Sequence, residues 1–152
     1  MDWDLTPWKA DLRATVQHLT SLRHANPVLR PLRFYDRHED DPHPALQRSD
    51  FAWFTAAGDP ESDDWWEDPH TRVLQFMRSL PEEGIADALL IINGTTEGHQ
   101  VTIPVDEGKP WHLAWDSAWE TPVGAPVETA LPGGAQSLAP SSIRLYLTDP
   151  DA

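Results

Sequence analysis

Several groups of side chains in this sequence are of types that do chemistry. Asp59, Glu61, Asp63, Asp64, Glu67 and Asp68 crowd carboxylates into one stretch, and clustered oxygen ligands are what a hard cation such as calcium takes. Their spacing does not reproduce an EF-hand loop, so a solvated acidic turn is the better reading. His38, Glu39, Asp40, Asp41 and His43 offer transition-metal ligand types beside Pro42 and Pro44. That setting reads as a loop, and no metal site is expected there. Ser141 and Ser142 with His112 and Asp116 supply the members of a hydrolytic triad on paper, but no G-x-S-x-G elbow presents either serine. Asn93-Gly94-Thr95 has the form of a glycosylation sequon, yet Asn-Gly is also turn chemistry, and that is the reading adopted.

The tryptophans offer binding chemistry instead. Trp53, Trp65, Trp66, Trp111, Trp115 and Trp119 carry flat amphipathic faces of the kind that stack on sugar rings or fill cores. Trp111, Leu113 and Trp115 alternate along one run, which predicts a shared strand face and burial. Trp65 and Trp66 lie in the acidic stretch, so at least one of them is expected to be exposed or to pack on another domain. These two are the candidate carbohydrate-binding residues.

Composition narrows the class. The chain has no cysteine, which excludes thiol nucleophiles, iron–sulfur clusters and thiolate zinc sites. Its 25 acidic and 11 basic residues leave a net charge of −14, which repels phosphate backbones and anionic lipids, so neither nucleic acid nor membrane is an expected partner. The most apolar run, Ala88 to Ile92, falls far short of the ~20 residues that cross a bilayer. The opening MDWDLTPWKADLR is acidic and mixed, without the basic and apolar regions of a secretory signal, so a cytoplasmic location is expected. A chain of 152 residues is one domain in size, whereas a (β/α)8 barrel takes about 250. Domains of this size hide roughly 68–70% of their unfolded surface and need no staple.

The elements that position these groups change character once along the chain. Thr6 suits a helix cap and Pro7 a first helical position, while Trp8, Leu12, Val16, Leu19 and Leu22 recur at helical spacing until Asn26-Pro27. Beyond Pro27 come short β-rich runs separated by Pro, Gly and Asp. Strands are predicted near Val28–Phe34, Asp50–Thr55, Thr71–Arg78, Ala86–Asn93, His99–Pro104, Trp111–Asp116 and Ile143–Leu147, with a short one at Gln136–Leu138. Gly94 to Gly98 predicts an antiparallel hairpin between the fourth and fifth of these. Asp36–Asp50 and Glu120–Gly134 read as long loops. No internal repeat is visible.

These pieces resemble, in order, the end of the catalytic barrel and the region beyond it in bacterial glycogen debranching enzymes, an isoamylase-like branch of the alpha-amylase superfamily in glycoside hydrolase family 13. The segment DFAWFTAAGDPESDDWWEDPHTRVLQFMRSL at Asp50–Leu80 is similar to theirs in its WF strand end, Gly turn, acidic Trp segment and D-P-x-(S/T)-R link. Asp2–Leu5 resembles the segment after the eighth barrel strand, and LTSLRHANPVLRPLRF the last barrel helix and its exit. ALLIINGTTEGHQVTIP, WHLAWDSAWE and SLAPSSIRLYL resemble successive strands of the C-terminal sandwich. The two long loops have no clear counterpart.

The resemblance implies a mainly β fold: an antiparallel β-sandwich of the alpha-amylase C-terminal type over residues 28–152, preceded at 1–27 by the final helix of the barrel. It implies an intact enzyme that hydrolyses α-1,6 branch linkages with a retaining carboxylate mechanism and no organic cofactor. Retention needs two carboxyl groups about 5–5.5 Å apart, and in the family these lie on barrel strands that no residue here matches. No catalytic residue is therefore carried over. Expected partners are the catalytic barrel, an α-glucan, or a second copy through the apolar helix stripe. A free-standing carbohydrate-binding module and an inactive interaction or remnant protein stay open as alternatives.

Overall fold

The computed structural model describes residues 6–31, 51–80, 85–105, 109–121 and 128–150. Helix α1 spans Pro7–Ala25. Thr6 takes the cap position with extended backbone, but its hydroxyl makes no cap bond. Its carbonyl instead accepts from Lys9 N and Ala10 N, both at 3.0 Å. At the other end the Asn26 side-chain amide donates to Leu22 O at 2.8 Å and closes the last turn. Pro27–Leu29 then forms a 3-10 turn where a strand was expected to begin. Asn26 O and Pro27 O accept the amides of Leu29 and Arg30, and this tight turn drives Val28 into the core. The expected loop at Asp36–Asp50, with its metal-ligand types His38 to His43, lies outside the described residues.

The β-rich remainder is a two-layer antiparallel sandwich. Strands β1 (Phe51–Phe54), β2 (Val73–Arg78), β3 (Ala88–Asn93), β5 (Trp111–Asp116), β6 (Thr129–Ala130) and β8 (Ser142–Leu147) build one sheet in the order β1-β2-β3-β8-β5-β6. Strands β4 (His99–Thr102) and β7 (Ala135–Leu138) pair separately as the second layer. Alternation sorts the side chains of the large sheet. Val73, Met77, Leu89, Ile91, Trp111 and Tyr146 face inward and pack with Val101, Ile103 and Leu138 from the smaller layer. Burying aliphatic side chains of this kind stabilises by roughly 1.5–3 kcal/mol each. On the outer face Ala88 and Leu145 pack with Val28, and Leu22 joins from the last turns of α1. A five-residue helix, α2 (Asp63–Glu67), lies between β1 and β2.

Two expectations are corrected. The runs flanking Gly94–Gly98 do not pair with each other, because β3 lies between β2 and β8 while β4 pairs with β7. Asn93 redirects the chain from one layer to the other: its amide donates to Glu97 O and Ala139 O, each at 2.8 Å, and its oxygen accepts from Thr95 N and Thr95 Oγ1. Gly94 N meanwhile donates to Arg72 O. An Asn side chain with all of these partners holds an arch between sheets rather than a two-stranded turn.

The second correction concerns Trp111, Leu113 and Trp115, which do not share a face. Leu113 pairs with Tyr146, but the next pair is Trp115 with Leu145, leaving Ala114 as an extra residue in a β-bulge. One inserted residue reverses the alternation. Trp111 and Leu113 stay inside, and Trp115 turns to the outer face with Leu145.

Candidate functional site

Alternation along β1 puts Phe51 and Trp53 on the outer face, opposite Arg78 and Phe76 of β2. The Trp53 and Phe76 rings lie 4.7 Å apart, and Phe51 is 5.9 Å from Phe76. The excursion after β1 returns across this patch. Glu61 N donates to Trp53 O at 3.2 Å, Pro60 bridges back to Phe54, and the Thr71 hydroxyl donates to Trp65 O at 3.1 Å. These ties bring α2 over the sheet.

The sequence-predicted pair Trp65 and Trp66 therefore sits on an aromatic cluster. Trp66 meets Trp53 edge-to-face at 5.3 Å and 84°, and Trp65 meets Trp66 at 4.7 Å and 76°. Edge-to-face contact satisfies the ring quadrupoles and fixes each indole against its neighbour. Trp66 remains 50% exposed, so it offers surface on a rigid support. Trp53 and Phe76 complete the cluster, and the signal for them was the outward alternation of the DFAWF and VLQFMR runs. Asp63, Asp64, Glu67 and Asp68 are exposed around α2. Asp68 is used locally, its carboxylate accepting His70 N at 2.8 Å. Among the described residues no three acidic or imidazole groups gather as a metal set.

The paper triad is not assembled. Ser141 and Ser142 donate their hydroxyls to Thr95 O and Ala139 O, His112 sits 3.3 Å from Asp149, and Asp116 is taken by Arg144 at 2.6 Å. Asn93 is buried and engaged in the arch between sheets rather than in the turn expected of Asn93-Gly94.

A polar cluster that the sequence reading missed lies on the inner face, where Arg144 follows the alternation of β8. Its guanidinium contacts Asp116 at 2.6 Å, Glu128 at 3.3 Å and the Tyr146 hydroxyl at 3.1 Å. Burial alone would lower the Arg144 pKa, but the hydrogen bonds and charges of Tyr146 and Asp116 outweigh it, so arginine stays firmly charged. Burial raises the Tyr146 pKa, with the Arg144 hydrogen bond and charge opposing in part. The signal was an arginine alternating with apolar residues in SIRLYL. This cluster is a mutually satisfied ion-pair network, and it reads as structural.

Helix α1 leaves Trp8, Leu12 and Val16 at 64%, 56% and 54% exposure. None of its residues is fully buried. Between its first turns and the end of β5 runs an open groove of about 160 Å³ that includes Leu12, Trp115 and Trp119.

No family model matches the sequence, and no curated protein matches it. Among solved structures, the chain is similar to a MutB mutant in complex with its substrate sucrose, at 19% identity and a TM-score of 0.47 over 88% of this chain and 17% of that one. It is also similar to trehalulose synthase MutB from Pseudomonas mesoacidophila MX-45, at 18% identity and a TM-score of 0.45, again over 88% and 17%. The chain thus spans 17% of the length of these structures.

Proposed function

We propose that the chain is the non-catalytic C-terminal part of a glycogen debranching enzyme whose intact form hydrolyses α-1,6-glucosidic branch linkages. The ordered motifs support this reading, and each falls on a fitting element: the WF strand end on β1, the acidic Trp segment on α2, the D-P-H-T-R link before β2, and SIRLYL on β8. The observation that carries it is α1. A helix of 19 residues with Trp8, Leu12 and Val16 uncovered is half of an interface, since soluble domains rarely leave a large apolar stripe to water. In this reading a preceding catalytic barrel covers Trp8 and Val16, and the sandwich supports the barrel without touching the scissile bond.

A free-standing carbohydrate-binding module is the second reading, favoured by the half-exposed Trp66 on its aromatic support. One experiment separates them. The purified chain is mixed with the catalytic barrel of a debranching enzyme lacking its own C-terminal domain, and release of reducing sugar from glycogen limit dextrin is followed. Neither part alone is expected to act, whereas the mixture copurifies and gains activity. Failure to copurify, or hydrolysis by this chain alone that is lost on mutating one of its own residues, overturns the proposal.

A further inference from the structure

We infer that the groove between α1 and the end of β5 is a subsite for one neutral pyranose unit of an α-glucan, distinct from the Trp65–Trp66 cluster. Trp115 owes its place there to the β-bulge at Ala114, which turns its indole to the outer face. Trp119 follows in the turn after β5, held by Trp119 N donating to Asp116 O at 3.2 Å. With Leu12 from α1 these indoles give the groove apolar walls. A sugar ring presents a C–H face that suits such walls and a rim of hydroxyls that does not.

The polar groups in the groove match that rim. Asp11 and Glu120 line it, and no partner for either carboxylate is found among the described residues. Both accept hydrogen bonds only. Thr15 donates its hydroxyl to Asp11 O at 2.9 Å, so its oxygen can still accept. Ser117 accepts Ile143 N at 2.8 Å, which leaves its own proton free to donate. A ligand that both donates and accepts can satisfy all four of these groups, as a hydroxyl does and an ammonium does not. Asp116 also lines the groove, but Arg144 neutralises it. No cation in the lining would attract an anion. The volume of about 160 Å³ suits one ring in the groove, since sites that enclose drug-sized ligands run from about 300 Å³ upward.

The α-glucan identity rests on the debranching reading, whereas the neutral polyol chemistry rests on the groove alone. Maltose titrated into the full chain, followed by tryptophan fluorescence and by amide chemical shifts, is expected to bind saturably and with little dependence on salt. Trp119→Ala should weaken binding by about fivefold or more, in the range of an interface anchor. Glu120→Gln, at an exposed position, tests the rim without risking the fold and should also weaken it. Trp66→Ala should leave it unchanged. Loss on Trp66→Ala with no effect of Trp119→Ala or Glu120→Gln would move sugar binding to the other cluster and overturn the groove. Absence of maltose binding, or salt-sensitive binding of N-acetyl-lysine amide alone, overturns it too. None of these outcomes bears on barrel copurification, so the two proposals fail separately.

Discussion

The side-chain amide of Gln75, fully buried in β2, donates to Thr102 O of β4 at 2.8 Å and ties the two layers of the sandwich together. The same nitrogen donates to Thr55 O at 2.8 Å, fastening the exit of β1 to the same point.

Removing this tie tests whether polar bonds or apolar packing hold the layers. Gln75→Leu deletes both donations from the core, and an unmade buried bond costs about 1–3 kcal/mol. It also deletes Oε1, a buried acceptor without a partner, which offsets part of the loss. A net destabilisation of about 1–2 kcal/mol is expected, read as a lower urea midpoint with an unchanged slope. An unchanged midpoint would mean that Gln75 merely fills space.

Gly58 is held at φ +84° in the turn after β1, and a Cβ there would meet Thr102 O at 2.8 Å. Gly58→Ala adds backbone strain and a clash with a carbonyl fixed in a sheet, so a loss of about 2 kcal/mol or more is expected. Gly133 provides the control. Its φ is +73° but its nearest neighbour is a Val105 methyl at 3.6 Å, so Gly133→Ala should show the strain without the clash. Equal thermal shifts for the two variants would remove the clash from the account.

Local signals made the elements legible, while the joints between them depended on tertiary partners. Seven of the eight predicted runs fall on β1 to β5, β7 and β8, because alternation and turn residues are written in short windows; β6, two residues inside the expected loop Glu120–Gly134, is too short to show alternation and exists through its pairing with β5. The hairpin at Gly94–Gly98 failed because Asn93 finds Ala139 O across 46 positions, a partner no window contains. Trp115 was misplaced for a similar reason: nothing in WHLAWD marks Ala114 as the bulge until β8 lies beside it. Trp65 and Trp66 were visible as candidates from their acidic setting. Their aromatic support was not, since Phe76 reaches Trp53 only through the register of β1 with β2.

The Arg144–Asp116 pair should respond to charge removal. Both side chains are largely buried, and losing one member of such a pair typically costs about 3–5 kcal/mol. Asp116→Asn can keep the bond to Ala118 N and leaves Glu128 3.3 Å from the guanidinium. A smaller loss of about 2–3 kcal/mol is therefore expected in chemical unfolding. A neutral result would show that Glu128 alone compensates the arginine.

Tyr146 makes stability depend on alkaline pH. Burial raises its pKa in the folded chain above the ordinary value, so between the two values the folded state holds a proton that the unfolded state has released. Its contribution is complete below the unfolded tyrosine value near ~10 and is lost as pH rises through the folded one. The unfolding midpoint should fall above that pH, and Tyr146→Phe should flatten the fall. The same alkaline slope in the phenylalanine variant would assign the effect elsewhere.

Helix α1 is held most firmly at its C-terminal end, and its dynamics should show it. Leu22 packs on the outer face beside Val28 and Leu145, whereas Trp8, Leu12 and Val16 face water. An isolated helix of this length is marginal, so the first turn, which lies beyond the groove-lining Asp11, Leu12 and Thr15, should fray first. Amide exchange in dilute protein should be fast in the first turn up to Ala10, slower from Leu12 towards Leu22 and slowest in β3 and β8. At higher concentration the stripe offers a second copy the same apolar face, and self-association should slow exchange across the first turns. Trp8→Asp with Leu12→Asp should abolish that concentration dependence while leaving the exchange of β3 and β8 unchanged. Protection in dilute protein as strong along α1 as in the central strands would show that the helix belongs to the sandwich's own cooperative unit, and the stripe would no longer read as half of an interface.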